Sequence, residues 1–167
     1  LWTYPWMEKF FGGRAEQYRK DHLADALMKI PYMVCVDEFQ HKVFENPEMT
    51  AMERRAVWSG LEKIYMPWRN YAGNEFLESG AFWIKQQHIF LYPFYYVDYA
   101  MAQMGAFEFY TKMKEDRKAA WADYYKLCAA GGSMGYFDLL KYSGLHKVLE
   151  DGSVKLILKG VFEELGL

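Results

Sequence analysis

Cysteine is scarce. Cys35 and Cys128 are the only two in the chain. They lie far apart in helical patterns and form no Cys-x-x-Cys pair, which argues against a disulfide framework and predicts a reduced, cytoplasmic setting. No His-Glu-x-x-His pair of metal ligands occurs. The doublets Gly12-Gly13 and Gly131-Gly132 lack the spacing and the preceding strand of a phosphate-cradling loop, and there is no Gly-x-Ser-x-Gly elbow. An excess of one charge is also missing: 20 Lys and Arg face 22 Asp and Glu, a net charge of −2, with the basic residues scattered. That balance gives no electrostatic footing for nucleic acid or an anionic membrane. No signal-peptide pattern is present. The apolar run over 89–110 is interrupted by Pro93, Asp98, Gln103 and Glu108, so it reads as a buried amphipathic helix rather than a membrane span. With no repeat, low-complexity tract or linker, residues 1–167 read as a single segment.

What the chain has in quantity is aromatic side chains, 19% of residues, within a hydrophobic share of 52%. That is enough for a substantial core and too apolar for disorder. The periodicity is helical almost throughout, with no sustained period-two alternation, so an all-α fold is predicted. The first element breaks at Gly12-Gly13. Residues 14 to about 46 form one amphipathic stretch, with a kink or split predicted at Pro31. Thr50-Ala-Met-Glu53 is a capping-box signature opening a helix to about Tyr65. Residues 70–91 read as loop with short helical pieces. Pro93 suits the first turn of a helix running to about Lys114. A helix near 116–129 ends at Gly131, Ser133 is predicted to cap a short helix over 135–142, and Asp151 or Ser153 to cap a last one ending at Gly166.

The segment HIFLYPFYYVDY, from His88 to Tyr99, holds one histidine and four tyrosines around a single proline. Imidazole and phenol donors can stabilise charge developing on a reacting carbonyl. On a helix starting at Pro93, Tyr92, Tyr96, Tyr99 and Gln103 share one stripe, at about 100° per residue, while Tyr95 points elsewhere. His88 is placed in a loop before that helix. Each buried tyrosine hydroxyl needs a partner, so a purely apolar stripe would more simply use Leu or Phe. Core packing and a polar functional wall both remain open on these letters.

A second candidate is Asp37, Glu38, His41 and Glu45. Glu38-Phe-Gln-His41 is half of a di-iron helical-bundle motif, but Arg19, Lys85 and Ser143 precede the other three histidines by three residues, so no second half exists. A salt-bridged helix face is the plain reading. His22 reads as a surface histidine, and His146 carries no ligand pattern.

The blocks PYMVCVDEFQHKVFENP, GAFWIKQQHIFLYPFYYVDYAMAQMGAFEFY and GGSMGYFDLLKYSGL, with TYPWMEKFF ahead of them, resemble the C-terminal part of oligoendopeptidase F, the bacterial branch of the thimet-type zinc metallopeptidases. The resemblance runs in order over nearly the whole chain. It implies a mostly helical half of a peptide-cleaving channel in a cytoplasmic enzyme that hydrolyses short peptides. In that family zinc is held by residues upstream of the matched blocks, so the resemblance gives this chain no metal ligand and no general base. It implies instead the facing wall. His88, Tyr96 and Tyr99 take the catalytic role of orienting the scissile carbonyl and stabilising its oxyanion, and Tyr92 carries over less closely as a substrate-binding residue. Tyr95 has no counterpart in the family; it and Gln103, which shares the tyrosine stripe, are expected as further substrate-binding residues. Asp37, Glu38 and His41 form a family block without an assigned role.

Two other readings stand beside this one. The segment could be a free-standing helical module that holds peptides in an aromatic groove without cutting them. It could also be an inactive fragment in which a cut exposes apolar surface along Trp2, Trp6 and Phe10, a face that invites a second copy.

Overall fold

The computed structural model describes residues 1–167. The chain is all-α, without a strand. Its helices are α1 (Glu8–Phe11), α2 (Ala15–Glu45), α3 (Ala51–Tyr65), α4 (Gln87–Leu91), α5 (Val97–Glu115), α6 (Arg117–Ala130), α7 (Tyr136–Tyr142) and α8 (Ser153–Leu165). Two compact units form. The first comprises Leu1–Ala26 with Met101–Leu167, and the second Leu27–Ala100. No helix is long and apolar enough to cross a membrane.

In the second unit, α2 runs unbroken through Pro31. The expected break is absent although an interior proline costs about 3 kcal/mol in helix stability. The residues that follow are the anchor: Cys35, Val36 and Phe39 are buried against Trp58, Leu61 and Met66. Truncating one large buried aromatic to alanine typically costs about 3–5 kcal/mol, so two such side chains, Phe39 and Trp58, outweigh the lost backbone bond. Burial also pushes the Cys35 thiol up to about 12, so it serves as a small apolar core group. The capping box forms as predicted: Glu53 N donates to Thr50 Oγ1 at 3.3 Å, and Thr50 N donates to Glu53 Oε2 at 2.7 Å.

The stretch between α3 and α4 is built of short helical pieces, as read from the sequence. A five-residue π turn, Leu77–Ala81, leads into a 3₁₀ turn, Phe82–Lys85. The π turn lies directly on α3. Gly80 has φ +84°, and a Cβ there would fall 2.1 Å from the Arg55 carbonyl oxygen.

The helix expected to start at Pro93 starts instead at Val97. Residues Tyr92 to Tyr96 form a turn, with Phe94 at φ 63°. A left-handed residue cannot continue a helix. Here it is held in place because the Phe94 N–H donates to the buried amide oxygen of Gln40 at 3.0 Å. The rings of His41 and Phe44 also pack on Phe94, at 4.8 and 4.9 Å between centroids. The Asp37-Glu38-His41 block is thereby accounted for locally. His41 supports the turn and pairs with Asp37 at 3.5 Å, while Glu38 accepts from Tyr65 and pairs with Lys42 at 3.2 Å.

In the first unit, Phe109, Leu140 and Leu145 form a core cluster. Gly160 admits a close crossing of α5 and α8: its N–H donates to Thr111 Oγ1 at 3.1 Å, and that hydroxyl donates to the Ile157 carbonyl. His146, which the sequence left without a partner, sits on the buried Glu108. Its Nδ1 lies 2.6 Å from the carboxylate, and its backbone N–H donates to both oxygens. Two predicted caps are corrected. Gly135 and Gly152, not Ser133 and Asp151 or Ser153, are the N-cap residues of α7 and α8, and neither makes a side-chain cap. Of the surface aromatics, Trp6 and Phe10 are exposed, while Trp2 packs edge-on against Trp121 at 5.2 Å.

Gly80→Ala combines a forbidden contact with a strained φ. It is expected to lower unfolding free energy by about 3 kcal/mol or more, read as a fall in the urea midpoint. An unchanged midpoint would show that the π turn does not rest on α3.

Candidate functional site

The histidine and the tyrosines meet within the second unit, by a route the sequence did not show. His88 lies on α4, one residue past its start, and not in a loop. Tyr92 closes that helix, Tyr95 and Tyr96 end the turn, and Tyr99 sits in the first turn of α5. A reversal of the chain at Pro93-Phe94, rather than one helical stripe, brings them together. The centroid of the His88 ring is 4.7 Å from that of Tyr96, 5.7 Å from Tyr99, 6.3 Å from Tyr95 and 6.5 Å from Tyr92. Tyr95 therefore belongs to the cluster. Its ring lies 5.3 Å from that of Tyr99. Gln103 is half-buried farther along α5, in the first unit.

His88 is oriented from behind. Tyr32, on α2, donates its hydroxyl to Gln86 Oε1 at 2.8 Å. The other end of that amide, Gln86 Nε2, lies 2.7 Å from His88 Nδ1. With the amide in this orientation its nitrogen donates, so Nδ1 accepts and Nε2 carries the ring proton. The free ring nitrogen is thus a hydrogen-bond donor. Sequence reasoning singled out neither Tyr32 nor Gln86. The signal was faint: Gln86 lies two residues before His88, and Tyr32 is 54 residues farther back.

Tyr96, Tyr99 and Tyr32 hold their phenolic protons more tightly than a free tyrosine does. Burial raises the Tyr96 pKa, with Lys29 pulling weakly the other way. The hydrogen bond with Tyr95, then burial, raises that of Tyr99. Burial also raises that of Tyr32. Tyr92, 60% exposed, and Tyr95, 45% exposed, present their rings to solvent. The arrangement is a set of neutral donors on one patch, suited to an acceptor atom such as a carbonyl oxygen.

No group of three or more His, Cys, Asp or Glu in the chain could hold a metal ion. A zinc site does not fit onto these residues, and no chemical step is assigned to a metal here.

No family model matches the chain, and no curated protein matches it. Solved structures do. A protein named for oligoendopeptidase F superposes with a TM-score of 0.93 at 49% identity, over 98% of this chain and 29% of its own. PZ peptidase A, solved with an inhibitor, gives 0.92 at 46% identity, over 98% and 29%. A further chain named for oligoendopeptidase F, from Bacillus anthracis str. Ames, gives 0.75 at 34%, over 98% and 26%. The chain spans under a third of the length of each.

The raised phenols carry a pH dependence. The folded chain holds these protons more tightly than the unfolded chain does. Their contribution to stability is therefore complete below the ordinary tyrosine value of about 10 and is lost as pH climbs through the raised values. Alkaline titration of phenolate absorbance is expected to show an early step with helical circular dichroism intact. A later step should coincide with unfolding. A single step near the ordinary value with the helices intact would contradict this.

Proposed function

Because the chain belongs to the oligoendopeptidase F family as a segment under a third of its relatives' length, we propose that it forms the C-terminal part of a cytoplasmic zinc metalloendopeptidase that hydrolyses short peptides. The zinc and the residue that activates water would come from elsewhere in the enzyme. On this reading the isolated chain is inactive. Its own contribution is the wall that receives the scissile carbonyl.

The observation that carries this reading is the Tyr32–Gln86–His88 relay, which leaves His88 Nε2–H as a fixed donor beside Tyr96 and Tyr99. As a peptide carbonyl becomes tetrahedral, its oxygen gains negative charge. Donors already aimed at it need no reorganisation, which is where such sites gain most of their rate. His88, Tyr96 and Tyr99 each supply one donor. Tyr92 and Tyr95, with exposed rings, flank the peptide. Gln86 is a positioning residue: it touches the histidine, not the substrate.

Substitutions in the complete enzyme test this. His88→Ala and Tyr96→Phe are each expected to lower kcat by about 10²–10³-fold, with KM for a quenched short peptide changed far less. Tyr99→Phe is expected to lower kcat in the same direction. Full turnover in His88→Ala and Tyr96→Phe would overturn the assignment.

A further inference from the structure

Arg69 lies in the turn after α3, where its N–H donates to the Met66 carbonyl at 3.0 Å. Its guanidinium reaches three groups of the second unit. Nη1 donates to Glu62 Oε1 at 3.3 Å. The guanidinium carbon sits 4.2 Å from the centroid of the Phe82 ring and 5.4 Å from that of Tyr32.

Glu62 anchors this cation to the core. It is 8% exposed, and the same oxygen accepts from the Trp58 indole N–H at 3.3 Å and from the Tyr71 hydroxyl. Trp58 is fully buried. The carboxylate is therefore held by two donors besides Arg69, and the guanidinium hangs from a fixed point.

The two rings against Arg69 stand at opposite ends of one hydrogen bond. Tyr32 is its donor, reaching Gln86 Oε1 at 2.8 Å. Phe82 opens the 3₁₀ turn that leads into Gln86, whose N–H donates to the Trp83 carbonyl at 2.9 Å. A side chain that holds both rings fixes the gap that this bond spans. The bond in turn selects which end of the Gln86 amide faces His88 Nδ1.

Core stability alone does not call for this pair. Apolar side chains of similar volume often stabilise a core as well as a buried ion pair does. Arginine adds direction, because a planar guanidinium can lie on a ring face while its edge bonds a carboxylate. Its charge also acts on the Tyr32 phenol in the sense opposite to burial, which makes the hydroxyl a better donor to Gln86.

We propose that Arg69, fixed by Glu62, is a positioning residue for His88: through Tyr32, Phe82 and Gln86 it determines that the ring proton sits on Nε2. Arg69 touches neither the imidazole nor a substrate. Its effect on turnover rests on the function proposed for His88, whereas its effect on the ring proton does not.

Arg69→Met alone would strand the buried Glu62 carboxylate. The test therefore combines it with Glu62→Gln, which keeps an oxygen for Trp58 and Tyr71. In the chain, nitrogen-15 shifts of the His88 ring are expected to pass from a single Nε2–H form to a mixture, with helical circular dichroism retained. In the complete enzyme, kcat for a quenched short peptide should fall by about tenfold or more, with KM little changed. A ring that keeps its proton on Nε2 in the double variant would overturn the proposal whatever happens to kcat, because Arg69 would then support the core alone. A mixed ring with undiminished kcat would uphold the positioning role and overturn instead the reading of His88 as the carbonyl donor. If the double variant does not fold, Phe82→Leu decides, since it leaves both charges in place. A mixture is expected there too, and an unchanged ring overturns the proposal.

Discussion

Tyr32 is the residue on which the second unit turns. Its ring lies edge-on to Trp58, Phe82 and Tyr96, at 6.2, 6.0 and 5.9 Å, and its hydroxyl holds Gln86. The guanidinium of Arg69 sits over the same ring at 5.4 Å. One side chain therefore ties the fully buried core, through Trp58, to both the histidine and a tyrosine of the candidate site. The energies are unequal. Losing the hydroxyl removes one net hydrogen bond, about 1 kcal/mol. Losing the orientation it gives Gln86 would let the amide turn and move the proton of His88 to the wrong nitrogen. A small change in stability would thus accompany a large change in what the site can donate.

Tyr32 keeps this place because α2 continues through Pro31. A break at Pro31 would swing Tyr32 away from Trp58 and from Gln86. The missing backbone bond is offset by Cys35, Val36 and Phe39, which bury the next two turns. The opposite choice is made at Pro93, where the chain turns. That turn is fixed by Gln40, whose side-chain oxygen accepts from the Phe94 N–H.

Local signals were legible in the sequence. The Thr50–Glu53 box, the end of α3 before Pro67, the stop at Gly131 and the helical period all act over a few residues, and they appear where expected. The resemblance carried by the long blocks around His88 is matched by the structures that superpose on the chain. What was misread depends on partners distant in sequence. Pro93 has the local chemistry of a helix start, yet the Phe94 N–H is claimed by Gln40, 54 residues earlier. Tyr95, off the helical stripe on paper, joins His88 and Tyr99 because the stripe does not exist. Ser133 and Asp151 have capping side chains, but glycines take the cap positions of α7 and α8. Glu108 and His146 each looked unremarkable alone, and only the fold of the first unit pairs them.

The donor character of His88 is the point from which the functional reading proceeds, and it can be observed without substrate. Nitrogen-15 shifts of the His88 ring, taken above the pH at which the imidazole is cationic, report which nitrogen carries hydrogen. The expected result is a hydrogen on Nε2 with Nδ1 bare, giving way to a mixture in Gln86→Leu. A hydrogen on Nδ1 in the unaltered chain would contradict it, because the donor would then face Gln86 and Nε2 would repel the carbonyl oxygen it is meant to receive.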